Sequence, residues 1–186
     1  NDFLNIINSA SDNILELLNN LLSVSAIESG QLVLNLQQGN LRDLINERIR
    51  LITHLALEKN IKFKIKCHDT RMVSFDAPRI GQVLDNLLTN AIKFSPVNGV
   101  IEIIMEPGNN YIKVTISDQG SGIKSEELDD IFKPFKKFNT NLTENEKGTG
   151  LGLAIAKKMI ELHNGRLTLT PSKKQGASFT FELPVK

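Results

Sequence analysis

The sequence predicts an α/β fold: a mixed, mainly antiparallel sheet covered on one face by helices and preceded by a long N-terminal helix. Three observations predict it. Strand-like and helix-like hydrophobic patterns interleave along the chain. Neighbouring strand patterns are joined by hairpin signals at Pro107-Gly108-Asn109-Asn110 and Lys173-Lys174-Gln175-Gly176, where a doubly wound parallel sheet would need crossover helices. Phe3 to Ile27 carries one broad, continuous apolar stripe, including Phe3, Ile6, Ile7, Ala10, Ile14, Leu17, Leu18, Leu21 and Leu22.

The elements follow in order. The stripe predicts a helix that needs a partner surface, such as another helix and a second copy in a bundle. Gly30 is its stop signal. A short strand is expected over Leu32 to Leu36. Asn40 is a candidate cap for a helix running to about Lys59, with Asp43 completing a near capping box. Ile61 to Cys67 alternates apolar residues with Lys62, Lys64 and Lys66 and reads as an amphipathic strand. Met72 to Phe75 is a short extended piece. Asp76 caps the next helix, with Pro78 in its first turn. Pro96 and Gly99 close it. Val100 to Glu106 and Tyr111 to Ser117 form a hairpin, and Ser125-Glu126-Glu127-Leu128 opens a short helix. A last helix ends at His163-Asn164-Gly165, a left-handed cap. Arg166 to Thr170 and Ala177 to Leu183 close the sheet.

Composition sets bounds. The chain has 186 residues, 40% hydrophobic and 23% charged, which suits one globular domain plus an appendage. A formal net charge of +1 gives no bulk attraction for nucleic acid or anionic lipid. No run of about 18 apolar residues is present, and no signal peptide pattern is visible. Cys67, the only cysteine, lies on the apolar side of its strand and reads as a core residue of a reducing compartment. The first residue is Asn and the helical pattern starts at once, so the chain is expected to be part of a longer protein.

Four segments carry candidate chemistry. In Gly148-Thr149-Gly150-Leu151-Gly152-Leu153-Ala154, glycine alternates with other residues and a helix pattern follows without a break. Glycine lets backbone approach a ligand, and a helix start offers unpaired N–H groups to an anion, typically phosphate. A tight, well-packed turn would use the same residues. Asp118-Gln119-Gly120-Ser121-Gly122 follows a strand and sets an acceptor carboxylate before two glycines. That suits a flat ligand with an amino donor, or a surface turn. Asn86, Asn90 and Lys93 share one helix face opposite the apolar one. Amide oxygens suit Mg²⁺ that also takes phosphate oxygens, and Lys93 offers countercharge. Ile131-Phe132-Lys133-Pro134-Phe135-Lys136-Lys137-Phe138 leads into the polar stretch from Asn139 to Lys147, which reads as a lid over the glycine turn or an ordinary loop.

In this order, the asparagine helix, the Asp-x-Gly-x-Gly turn, the Phe-x-Pro-Phe segment and the Gly-x-Gly-x-Gly turn resemble the catalytic ATP-binding domain of sensor histidine kinases. That domain belongs to the group shared with gyrase, Hsp90 and MutL. The stretch Leu15 to Gly30 resembles the end of the second helix of the dimerisation and histidine-phosphotransfer hairpin. The resemblance implies residues 1–30 as that remnant and 31–186 as the ATP-binding domain, a two-layer sandwich of this sheet and its helices. It implies ATP and Mg²⁺ as cofactors. It places the adenine amino group on Asp118, with Gly120, Gly122 and Ile123 shaping the base pocket and Phe94 against the ring. It gives Mg²⁺ to Asn90, and the phosphates to Asn86, Lys93 and the backbone of Gly148, Thr149, Gly150, Leu151 and Gly152. Lys137 stands where the family often has arginine, and Ala177 where it often has threonine.

The implied activity is phosphoryl transfer to a histidine in two-component signalling. The implied partners are a response regulator or receiver domain and a second copy of the full-length chain, in the cytoplasm. Asn86 separates this from the gyrase and Hsp90 type of hydrolysis, since asparagine is no Brønsted base. The alternatives are such a hydrolase, or an ATP-binding or dimerisation module without kinase activity. The phosphoacceptor belongs on the first hairpin helix, which this sequence does not include. His54, His68 and His163 read as structural, His163 as a partly cationic ring at a helix end.

Overall fold

A computed structural model describes residues 2–30, 32–136, 149–171 and 176–185. The chain forms two compact units, Asn1–Val33 and Leu34–Lys186. In the first, α1 (Asp2–Glu28) is followed by Gly30 in left-handed geometry (φ +67). The N–H of Gly30 returns to the Ile27 carbonyl, so the last turn is closed by backbone. Ile14, Leu15, Leu18, Leu21 and Leu22 of α1 are exposed.

The second unit is the sandwich. A five-stranded sheet runs β2–β4–β5–β7–β6, built from β2 (Lys62–Cys67), β4 (Val100–Pro107), β5 (Tyr111–Ser117), β6 (Arg166–Pro171) and β7 (Ala177–Pro184). Only β2 and β4 pair in parallel, and the crossover between them carries α3 (Ala77–Phe94). The other three pairings are antiparallel. Period-2 alternation sends Ile101, Ile103, Met105, Ile112, Val114, Ile116, Phe179 and Phe181 into the core. On the opposite face, hydroxyls pair across strands, Thr115 with Thr180 at 3.0 Å and Ser117 with Ser178 at 2.8 Å. The helices α2 (Leu41–Glu58), α3 and α4 (Gly152–Leu162) supply the other layer. Leu84, Leu87 and Leu88 of α3 are fully buried, each contributing about 2 kcal/mol of apolar burial.

Local signals act as read. The Asn40 side chain accepts the Arg42 N–H, and that of Asp76 accepts the Arg79 N–H, so both N-caps form. Asn164 is left-handed (φ 57) after α4.

Two expectations are corrected. Leu32 to Leu36 is not a strand; the strand is β1 (Gln37–Asn40), paired antiparallel with β3 (Met72–Phe75). The Asn35 N–H goes to the Asp76 carboxylate, not to a ladder carbonyl. Gly39 sits on the Phe75 ring, where a Cβ would lie 2.9 Å from Cζ. His163 is not cationic: buried, it faces the Met159 carbonyl through Nδ1 at 2.7 Å and accepts the Asp76 N–H on Nε2 at 3.1 Å. An accepting nitrogen is the neutral ring's. The imidazole thus ties the end of α4 to the cap of α3.

Candidate functional site

Strand β5 ends where the sheet delivers Asp118. Its Oδ1 accepts the Gly120 N–H at 2.8 Å and the Ala177 N–H at 3.2 Å. Burial pushes this carboxyl above the ordinary aspartate range, opposed by those backbone donors. The backbone of Asp118 also bonds Ala177. Gly176 makes this approach possible: its φ is +93, and a Cβ there would lie 2.0 Å from the Asp118 carbonyl oxygen. Oδ1 is thus tied twice by backbone.

Asp118 opens into a narrow, mainly apolar slot. Asn90 and Phe94 of α3, Gly122, Ile123, Leu153 and Phe179 are among the residues that line it. Its space totals about 500 Å³ with the mouth included, of which about 50 Å³ admits the centre of a water molecule. That shape fits a flat ring with one polar edge.

The glycine turn adjoins this slot through α3 and α4. A Cβ on Gly152 would lie 2.9 Å from the Asn86 Oδ1, so the amide of Asn86 rests against the start of α4. The Asn86 Nδ2 is buried with no hydrogen-bond partner among the described residues, a costly state unless a ligand supplies an acceptor. Gly150 has φ +76, and a Cβ on it would meet the Lys136 carbonyl at 2.9 Å. Its own carbonyl accepts the Phe135 N–H at 3.0 Å. Phe135 is itself left-handed (φ 62) and exposed. The Phe-x-Pro-Phe segment is thereby fastened to the glycine turn. Ahead of it, hydrogen bonds from Lys133 and Lys136 hold the Asp130 carboxyl down at about 2.

The structure gathers Asn90, Phe94, Asp118, Gly122 and Ile123 into one pocket. Gly120 is bonded to Asp118, and its Cβ position lies 2.5 Å from the Phe94 carbonyl oxygen. Asn86 and Gly152 meet beside the slot. The Lys93 Nζ stands 5.6 Å from the Phe94 ring centre. Leu151 is buried, with its N–H on the Thr149 hydroxyl. Lys137 and Gly148 lie outside the described residues. Glu127, Ile131, Leu153, Ala177 and Phe179 also line the slot. Of these, Ala177 was singled out by the resemblance, Ile131 and Leu153 stand within two of the candidate segments without a role of their own, and Glu127 and Phe179 carried no signal for the site. Among the described residues there is no cluster of three His, Cys, Asp or Glu side chains able to hold a metal, and no helix long and apolar enough to cross a membrane.

Comparison with known proteins shows the family and the fold. The family described as "Histidine kinase-, DNA gyrase B-, and HSP90-like ATPase" matches residues 75–186. The catalytic domain of the histidine kinase ThkA is 34% identical, covering 81% of this chain and 96% of that one at a TM-score of 0.72. A structure of ThkA in complex with the response regulator protein TrrA is 30% identical, covering all of this chain and 51% of that one at a TM-score of 0.76. The sensor protein GacS of Pseudomonas syringae pv. syringae is 31% identical over 98% of this chain, which amounts to 21% of that protein. The chain spans between 12% and 22% of the length of the curated relatives it matches first. It belongs to the histidine kinase-, DNA gyrase B- and HSP90-like ATPase family, as an ATP-binding domain of the histidine-kinase type.

Proposed function

We propose that this chain binds Mg-ATP and passes the γ-phosphoryl group to a histidine on the first helix of a hairpin whose second helix is α1. The observation that carries the reading is the convergence of Asp118, Asn90 and Phe94 on one slot, with Asn86 and the glycine turn beside it. Asp118 Oδ2 accepts a hydrogen bond from the 6-amino group, which selects adenine. Phe94, Gly120, Gly122 and Ile123 bound the ring. The orphaned Asn86 Nδ2 suits a phosphate oxygen. The backbone of Gly148, Thr149, Gly150, Leu151 and Gly152, the start of α4, and the cations Lys93 and Lys137 serve the same end. Mg²⁺ fits a donor set made of the Asn90 amide oxygen, phosphate oxygens and water, and it does not need a carboxylate cage. When bound, it neutralises charge between the phosphates.

The chain's own contribution to the chemistry is positioning. The acceptor imidazole forms a bond to the γ-phosphorus as the bond to the β-phosphate oxygen breaks, and ADP leaves. Asn86 supplies no base for water, which favours transfer over hydrolysis. The phosphorylated histidine would serve a response regulator or receiver domain in a dimeric, cytoplasmic sensor. The ThkA complex with TrrA supports that partner class.

Radiolabelled Mg-ATP tests the reading, with a hairpin carrying the acceptor histidine supplied separately. Acid-labile label on the hairpin and none on this chain is the expected result. Label on His54, or phosphate release without transfer, contradicts it.

A further inference from the structure

The sheet has two edges, β2 and β6, and they are defended differently. β2 exposes Lys62, Lys64 and Lys66, a common guard against pairing with another chain. Lys64 and Lys66 are held over Glu102. β6 has no lysine. Its Thr168 and Leu169 are half-buried, Thr170 is exposed, and its charge is the exposed Arg166 at one end. Among the described residues no strand pairs with its outer side. Alternate N–H and C=O groups of an edge strand point outward.

Beside β6 runs an open groove of about 890 Å³ with its open side included, between the strand, α4 and the segment from Leu128 to Phe132. Its apolar surface comes from Leu128, Phe132 and Leu167, and its cations are Lys157 and Arg166. The Lys157 Nζ lies 5.0 Å over the Phe132 ring. The groove's carboxylate, Glu161, is already engaged by Lys158 at 3.4 Å, which leaves the lining with a surplus of positive charge. None of these groove residues lines the nucleotide slot.

We propose that β6 is a docking edge for an extended, acidic segment of a partner protein, which adds as a sixth strand with its apolar side chains on Leu128 and Phe132 and its carboxylates toward Lys157 and Arg166. An extended occupant satisfies the outward backbone groups, which a helix leaves unpaired. Period 2 lets one segment send apolar side chains to the groove and acidic ones to its rim. The two cations set the sign of the occupant.

The test uses the isotopically labelled protein and an acetylated, amidated Glu-Val-Glu-Val-Glu-Val peptide, with the Lys-Val-Lys-Val-Lys-Val peptide as comparison. The proposal expects saturable amide shifts centred on Arg166 to Thr170 and Lys157, and slowed amide exchange at alternate β6 residues. The Lys157→Glu, Arg166→Glu double variant should bind at least about tenfold more weakly with ATP affinity unchanged. If that variant does not fold, Lys157→Gln with Arg166→Gln should show a smaller loss in the same direction. Absence of saturable shifts, shifts centred on β2, or equal binding of the lysine peptide overturns it.

Discussion

The Asp118 end of the cleft and the Asn86–Gly152 end are held by different kinds of interaction. At the Asp118 end the polar group is locked before any ligand arrives. Two backbone amides fix Oδ1, a glycine lets the strands touch, and mainly apolar walls surround the carboxylate. At the other end a buried amide nitrogen has no partner among the described residues, and the glycine turn meets Lys136 and Asn86 at close quarters. In the proposed reading, one end meets a fixed edge of a flat ring and the other holds donors whose partners come with the ligand. Specificity then belongs to the first end, and charge-dependent affinity to the second.

That division can be broken in order of size. Asp118→Ala removes the acceptor and orphans two N–H groups, so calorimetry should find nucleotide binding lost by about a hundredfold or more. It should be lost equally for ATP and adenosine. Asp118→Asn keeps an oxygen for the two backbone donors and turns its amide nitrogen into the slot. It should weaken ATP and bind the 6-oxo analogue ITP about tenfold better than the parent does. Unchanged base preference would mean Oδ2 does not face the ring. At the other end, Asn90→Ala should abolish the Mg²⁺ dependence of ATP affinity and leave adenosine binding intact. Gly150→Ala places a Cβ near the Lys136 carbonyl at positive φ, a strain of about 1–2 kcal/mol. Its titrations should show ATP weakened more than adenosine.

The smallest effect concerns pH. Asp118 is pushed upward by burial, and in the proposed reading its charged form accepts the 6-amino group. Lowering pH therefore protonates it earlier than an ordinary aspartate. Adenosine affinity should fall on the acid side over a window displaced upward, and Asp118→Asn should flatten that limb. For folding the sign is opposite: a raised carboxyl favours the protonated native state, so Asp118 costs stability as pH rises through the ordinary range to its raised one.

Legibility followed sequence distance. The caps at Asn40 and Asp76 and the left-handed Asn164 are decided within a few residues, and the sequence displays them. β1 was misplaced because an alternating run says nothing of where its partner lies; β3 is far along the chain. The charge state of His163 was missed for the same reason, since the N–H it accepts is 87 residues away. Within the site, polar liners stood out as odd choices for a helix face or a turn. Ile131, Leu153 and Phe179 did not, because a residue lining an apolar slot has the same chemistry as one filling a core.

Backbone amide shifts during a titration with Mg-ATP address the shared cleft most directly. Asp118, Gly120 and Gly122 should move together with Gly150 and Gly152, saturating at one stoichiometric equivalent with a common dissociation constant. Two affinities, or movement at one set while the other stays still, would mean that carboxylate and glycine turn serve separate ligands.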